Sequence, residues 1–231
     1  MSPTSHLPLF GGPRAWSQDD WVASDDRVRG GASQSELTCS ASSLIAKFHG
    51  TLDIKTLGGA GFASQRTRGD DRKWDLSRYD GIELVVDSSD GKMYTLTLKD
   101  EILPKRPDGR EQSTISWEYD FRAQGHQTIF IKWSDFRATY RGREKGDAEP
   151  LDLKNIKRFS IMIRSFFGDQ EGAFALNLVS IAALRTERYL DEPDDQSVDE
   201  VFYEKSKEES AQSSGPERRQ GWLGWLTSCL L

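Results

Sequence analysis

The chain has 231 residues, 36% of them hydrophobic and 29% charged, enough for one sizeable core rather than two. Lysine and arginine total 31 against 37 aspartate and glutamate, a net charge of −6, so no bulk positive charge is available to track the phosphates of a nucleic acid. The two cysteines, Cys39 and Cys229, exclude a disulfide framework and a cysteine-rich zinc site, and fit a reduced, intracellular setting.

Residues 1–20 contain no apolar stretch, one arginine (Arg14) and two aspartates, which match neither a secretory signal nor an Arg-rich presequence. No run of about 18 apolar residues occurs later that would span a bilayer. From about residue 36 to 186 the dominant pattern is apolar–polar alternation in short runs separated by turn signals, the mark of half-buried antiparallel strands. Strands are predicted at 44–48, 82–86, 93–98, 115–121, 128–133, 159–163 and 174–179. In the third of these Tyr94, Leu96 and Leu98 face one way and Thr95 and Thr97 the other, and in the fourth Trp117, Tyr119 and Phe121 share a face. Turn chemistry separates the runs at Asp80-Gly81, Asp90-Gly91, Asp108-Gly109, Gly125 and Gly168-Asp169. About eight strands at this spacing predict an all-β domain of two packed sheets, a sandwich or jelly roll. Helical signal is confined to single turns at 134–136 and 152–156.

After Leu184 the composition changes. Residues 187–231 carry 11 acidic and 5 basic side chains, so the acidity of the chain belongs to this tail and the preceding domain is neutral. Residues 187–220, with little apolar content beyond Val198, Val201, Phe202 and Tyr203, read as a disordered acidic linker that cannot offset its own ordering entropy. Residues 221–231 are apolar again and read as a docking segment, with Trp222, Leu223, Trp225 and Leu226 meeting a membrane interface, a partner groove or the chain's own domain. Cys229 is third from the end, so the prenylation box is not met.

Chemistry-bearing constellations are sparse. His6, His49 and His126 show no ligand or triad spacing, and His6 reads as part of a frayed end. The glycines of Gly58-Gly59-Ala60-Gly61-Phe62 lack the third member of a dinucleotide fingerprint, because Ser64 stands there, and read as a bend between strands. The pairs Asp19-Asp20, Asp25-Asp26, Asp70-Asp71 and Asp194-Asp195 read as solvated turns, with a structural calcium site as the sharper alternative. The basic and aromatic loop at 136–143 is dense in arginine; Tyr140, Arg141 and Arg143 are its candidate contacts for a partner or an anionic ligand, with Trp74 as a further partner-binding candidate.

The order of motifs resembles the complex I intermediate-associated protein 30 family, over about residues 10 to 185. Trp21 and the run Asp25-Asp26-Arg27-Val28-Arg29-Gly30-Gly31-Ala32-Ser33 resemble the family's opening D-x-V-M-G-G-x-S, with Arg29 in place of Met. Gly61-Phe62-Ala63-Ser64 is similar to G-G-F-A-S, with Ala60 splitting the glycine pair. Trp74 to Gly81 fits D-L-S-x-Y-D-G, residues 136–142 fit F-x-P-x-x-R-G with Ala138 in place of Pro, and residues 172–176 fit the closing strand. The resemblance implies a galactose-binding-like jelly-roll β-sandwich at 10–186. It also implies a non-catalytic, chaperone-like assembly factor, without cofactor, metal or nucleic acid. The implied partners are membrane-arm intermediates of mitochondrial complex I and other assembly factors, met on the matrix side of the inner membrane, with peripheral membrane contact through the C-terminal segment. The N-terminal composition shows no presequence, which leaves three alternatives: import by an internal signal, a misassigned start site, or a cytosolic relative with a different client. A carbohydrate-binding module is the reading from another class, with Trp74 and Tyr140 as stacking residues.

Overall fold

The alternation in the sequence becomes two antiparallel sheets in the computed structural model, which describes residues 5–39 and 44–186. In chain order the strands are β1 Ser5–Gly11, β2 Trp21–Ala23, β3 Gln34–Cys39, β4 Ala46–Leu52, β5 Phe62–Thr67, β6 Gly81–Ser89, β7 Tyr94–Lys99, β8 Ser116–Phe121, β9 Gln127–Lys132, β10 Arg137–Tyr140, β11 Arg143–Glu144, β12 Arg158–Arg164 and β13 Gly172–Arg185. One sheet runs β3-β4-β13-β6-β9, with β1 also paired to β13; the other runs β11-β10-β8-β7-β12-β5-β2. The chain passes repeatedly from one sheet to the other, which wraps it into the expected jelly-roll sandwich. The single turns appear as 3₁₀ turns at Trp133–Asp135 and Leu153–Asn155, the second begun by an Asp152 carboxylate that accepts from the Lys154 amide.

The core lies between the inner faces. Tyr94, Leu96 and Leu98 of β7 and Phe159, Ile161 and Ile163 of β12 meet Ile82, Leu84 and Val86 of β6 and Leu176 and Leu178 of β13, all fully or almost fully buried. At one end of the core Phe10, Trp21, Trp74 and Phe159 pack edge to face or tilted; at the other Phe48, Tyr94, Phe121 and Phe174 do the same. Against β6 the register of β13 shifts on both sides of Leu178. That bulge moves the buried set from Phe174, Leu176 and Leu178 to Ile181 and Ala183, so a 14-residue strand keeps its apolar side inward despite the change of phase.

Several elements depart from the sequence expectation. Residues 5–11 are not a frayed end: they form β1, His6 pairs with Leu184 of β13, and its Nε2 lies 2.8 Å from a Glu83 carboxylate oxygen. Pro8 disguises this strand, yet it is tolerated because β1 pairs only with β13. Residues 62–67, read as the end of a bend, form β5; its inward residues include the buried polar pair Gln65 and Thr67, which hides the period of two. Residues 136–143 are not a loop but a hairpin, β10–β11, closed by Arg141 and Gly142 at φ of 54° and 76°, the left-handed turn that suits antiparallel strands. The predicted linker at 187–220 and docking segment at 221–231 lie outside the described residues.

Candidate functional site

The outer face of the seven-stranded sheet is hollow. Small side chains occupy its middle: Thr97 on β7, Ser160 on β12, Ser64 on β5 and Ser116 on β8, all facing away from the core by the alternation that buries Leu96, Leu98, Ile161 and Ala63. Larger residues rise around them, and the resulting cleft has a volume of about 590 Å³. The hollow is a direct result of hydroxyl residues standing where strands more often carry long or branched side chains.

Charge is arranged around the hollow in two networks. At one end the buried Arg158 guanidinium donates to Glu111 at 2.8 Å and to Asp70 at 2.7 Å, and Arg66 donates to the other oxygen of Glu111 at 2.8 Å. Beside them the Lys99 ammonium donates to Thr114 Oγ1 at 2.9 Å and to the carbonyls of Thr114 and Ile115, both at 3.2 Å. Together these contacts fasten the long β7–β8 connection across one end of the sheet. Burial, and then the positive charge of Arg158, push the Lys99 amine down to about 8. At the other end Arg164 donates to Glu118 at 2.7 Å and to both oxygens of Asp120 at 2.7 and 2.6 Å, while Thr95 donates to Asp120 at 2.6 Å. Arg164 also lies over the Phe166 ring, 4.7 Å from its centroid.

The cleft is lined by Arg29, Arg66, Lys99, Arg141, Arg158 and Arg164, but by only two carboxylates, Glu111 and Glu118. Asp70 and Asp120 hold Arg158 and Arg164 from beside it, which still leaves two positive charges in excess. Among the described residues, Arg29, Lys99 and Arg141 form no ion pair with a carboxylate; Arg29 instead lies 5.5 Å from the Phe62 ring centroid, and Arg141 5.3 Å from that of Tyr140.

Residues 25–35, which carry the opening motif, serve a different purpose. Asp25 and Asp26 are buried rather than solvated, and their oxygens accept from the chain itself. Asp26 takes the Ser33 amide at 3.0 Å, the Ser33 hydroxyl at 2.7 Å and the Phe62 amide at 3.1 Å. Asp25 takes the Ser35 amide and hydroxyl at 3.2 and 2.6 Å, the Ser64 amide at 3.0 Å, and Arg27 at 3.1 Å. Asp25 therefore ties β3, in one sheet, to β5, in the other, and Asp26 ties the residue that leads into β3 to the start of β5. Gly31 follows from this, because a Cβ there would stand 2.3 Å from the Asp26 carboxyl carbon. The other acidic pairs among the described residues do not converge either: Asp20 is paired with Arg72 and Asp70 with Arg158, and no described cluster of three or more acidic, histidine or cysteine side chains has the arrangement of a metal site.

The hairpin brings Tyr140, Arg141 and Arg143 together at the rim, where Tyr140 pairs with Arg143 and the Arg141 Nε donates to Ser113 Oγ at 3.3 Å. Trp74 is not with them. Its ring packs against Phe10 and Phe159 at the edge of the core, so it and Tyr140 form no common stacking platform. Trp222, Leu223, Trp225 and Leu226 lie outside the described residues. The sequence reading missed the floor of the cleft, where Thr97, Ser116 and Ser160 stand at alternate positions outside any motif, and the Phe166-Phe167 corner beyond β12. The polar sides of β7 and β12 were the available signal: Thr95, Thr97 and Lys99 in one, Arg158, Ser160 and Arg164 in the other.

The sequence profile described as complex I intermediate-associated protein 30 matches residues 9–178. An uncharacterised protein of Schizosaccharomyces pombe (strain 972) is 48% identical over 184 residues, covering 77% of this chain and 84% of that protein. Among solved structures, the family 11 carbohydrate-binding module of a Clostridium thermocellum cellulosomal cellulase superposes with a TM-score of 0.49 at 18% identity, over 78% of this chain and 96% of that one. An agarase superposes with a TM-score of 0.45 at 12% identity, over 79% of this chain and 25% of its own.

Proposed function

We propose, from the premise that the chain belongs to the complex I intermediate-associated protein 30 family, that it is a non-catalytic binding protein for incompletely assembled subunits of respiratory complex I. The observation that carries this reading is the family match itself, which spans almost the whole described sandwich. The geometry supports it in two ways. The sandwich offers a rigid hollow face edged by the Tyr140–Arg143 hairpin, a surface suited to docking. Two of the three histidines are engaged away from the cleft, His6 with Glu83 and His49 with Thr38 at 3.2 Å, and the Lys99 amine within it is held by Thr114 and Ile115. In this reading Tyr140, Arg141 and Arg143 contact the client, and Trp222, Leu223, Trp225 and Leu226 add a second, apolar attachment whose tether raises the effective concentration of the first.

The test is fractionation of the endogenous protein with protease protection, followed by native-gel migration of the membrane fraction. Protected protein that co-migrates with complex I sub-complexes is the expected result. Protein confined to the cytosol and absent from those sub-complexes would show that this chain keeps the fold while serving another client.

A further inference from the structure

We infer that the cleft is a docking groove for an extended acidic protein segment, with Phe167 as the anchor that meets an apolar side chain of that segment; this deepens the client-binding reading and rests on it. Three observations point to the same place.

The first is Phe167 itself. Its side chain is 96% exposed, and its ring contributes nothing to the core. Its backbone nevertheless sits in the left-handed region at φ of 62°, directly after Phe166 at 46°, a conformation that non-glycine residues adopt only at a cost. Folding gains nothing from a phenylalanine at this position and would be better served by glycine.

The second observation is that the corner is held rigidly. Ser165 is buried, its amide donates to the Gly61 carbonyl at 2.9 Å, and its carbonyl accepts from the amides of Gly168 and Gln170 at 3.0 and 3.3 Å. The Gln170 side chain spans the same turn, donating to the carbonyls of Arg164 at 2.7 Å and Met93 at 2.9 Å. The Arg164 guanidinium, fixed by Glu118 and Asp120, supports the Phe166 ring. An aromatic side chain presented on a pre-organised backbone loses little entropy on binding, the property of interface anchors.

The third observation is the groove that leads away from Phe167. It reaches along β12 from Arg164 to Arg158, about 20 Å for six residues of strand, the span of an extended peptide of similar length. Its excess of positive charge, with Arg29 near the Phe62 end and Arg141 at the hairpin end both free of a carboxylate partner, selects an acidic occupant. The half-buried Ser116 and Ser160 hydroxyls of the floor supply hydrogen-bonding groups for its backbone.

The experiment uses the full chain, ¹⁵N-labelled, titrated with a synthetic hexapeptide of four glutamates and two leucines, with its lysine counterpart and with cellotetraose. The expected result is that the acidic peptide alone shifts the amides of Phe62, Ser64, Thr97 and residues 164–168, and that Phe167→Gly weakens this binding roughly tenfold or more. Phe167→Gly keeps the left-handed backbone, so its fold is secure, and Leu44→Ser, an exposed residue away from the cleft, should leave binding unchanged. An absence of shifts at these amides, an equal response to the lysine peptide, or a response to cellotetraose in place of the acidic peptide would each overturn the inference. Native-gel association separates this from the client reading: wild type that co-migrates with sub-complexes but ignores the acidic peptide refutes the groove alone, and the converse refutes the client alone.

Discussion

Removing the Asp26 carboxylate would leave the buried amide of Ser33 and the part-buried amide of Phe62 without an acceptor, and would detach the residue that leads into β3 from the start of β5. Unsatisfied buried donors cost about 1–3 kcal/mol each, so Asp26→Ala should lower the unfolding free energy by about 3 kcal/mol, measured as a reduced midpoint in urea. Gly31→Ala should destabilise by a similar order, because its methyl group and the carboxylate would claim the same space. The opposite sign is expected at Phe167. Phe167→Gly relieves a strained left-handed residue and sacrifices no packing, so it should raise the melting temperature, by an amount corresponding to about 1 kcal/mol. A fall in melting temperature would mean that the ring makes a stabilising contact after all. These residues also show what the sequence could and could not disclose. The Asp-Asp and Gly-Gly letters were plain to see, but whether two adjacent carboxylates face water, a cation or the chain's own amides depends on where residues 33–35 and 62–64 come to lie, and no local pattern records that.

Among the elements, strands with one polar and one apolar side announced themselves. β7, β8, β9 and β12 are covered on one face by core and carry polar or mixed residues on the other, the condition under which a period of two survives. β5 escaped because Gln65 is buried among the core-facing positions, satisfied by the carbonyl and hydroxyl of Ser35 at 2.9 and 3.1 Å. The cleft was readable only as the polar half of these same strands. The connection from β7 to β8 makes a separate prediction. Lys99, which fastens it, titrates near 8 in the folded protein against 10.5 when exposed, so below pH 8 the folded state holds its proton against the cost of burial. Between about pH 8 and 10 the unfolded chain binds more protons at this position than the folded one, and stability should rise with pH. Lys99→Met should flatten that rise in unfolding free energies measured across the window. Tyr94 acts in the opposite direction above pH 10, since burial and then its hydrogen bond to Asp90 hold the phenol far above its ordinary value.

For the molecule as a whole, the family motifs supply the scaffold and part of the cleft. The residues that gave the family away, Asp26, Gly31, Leu76 and Phe136 among them, are buried or packed against buried groups and set the scaffold. Other motif residues, Arg29, Phe62, Ser64 and Arg141, line the cleft, and the rest of its floor, on β7, β8 and β12, is built from residues without a signature. A groove with surplus positive charge should lose client binding as salt rises, whereas an apolar attachment should not. On the proposed client reading, association of the full chain with complex I sub-complexes is therefore expected to weaken between about 50 and 300 mM salt, a range in which the Debye length shortens substantially. Insensitivity to salt, measured by native-gel retention, would assign the affinity to the apolar C-terminal segment instead.

The position of β13 has a consequence for synthesis. This strand, the last among the described residues, is also the middle of its sheet: β4 borders its first half, β1 its second, and β6 most of its length. Ser5, made well before Arg185, finds its partner only there. At a translation rate of about 5–20 residues per second, β1, β3 and β4 therefore wait roughly 10–40 s on the ribosome with their central partner still missing. During that interval the apolar sides of these strands are open to a holding chaperone, and the sheet closes only when the final strand slides between neighbours already made.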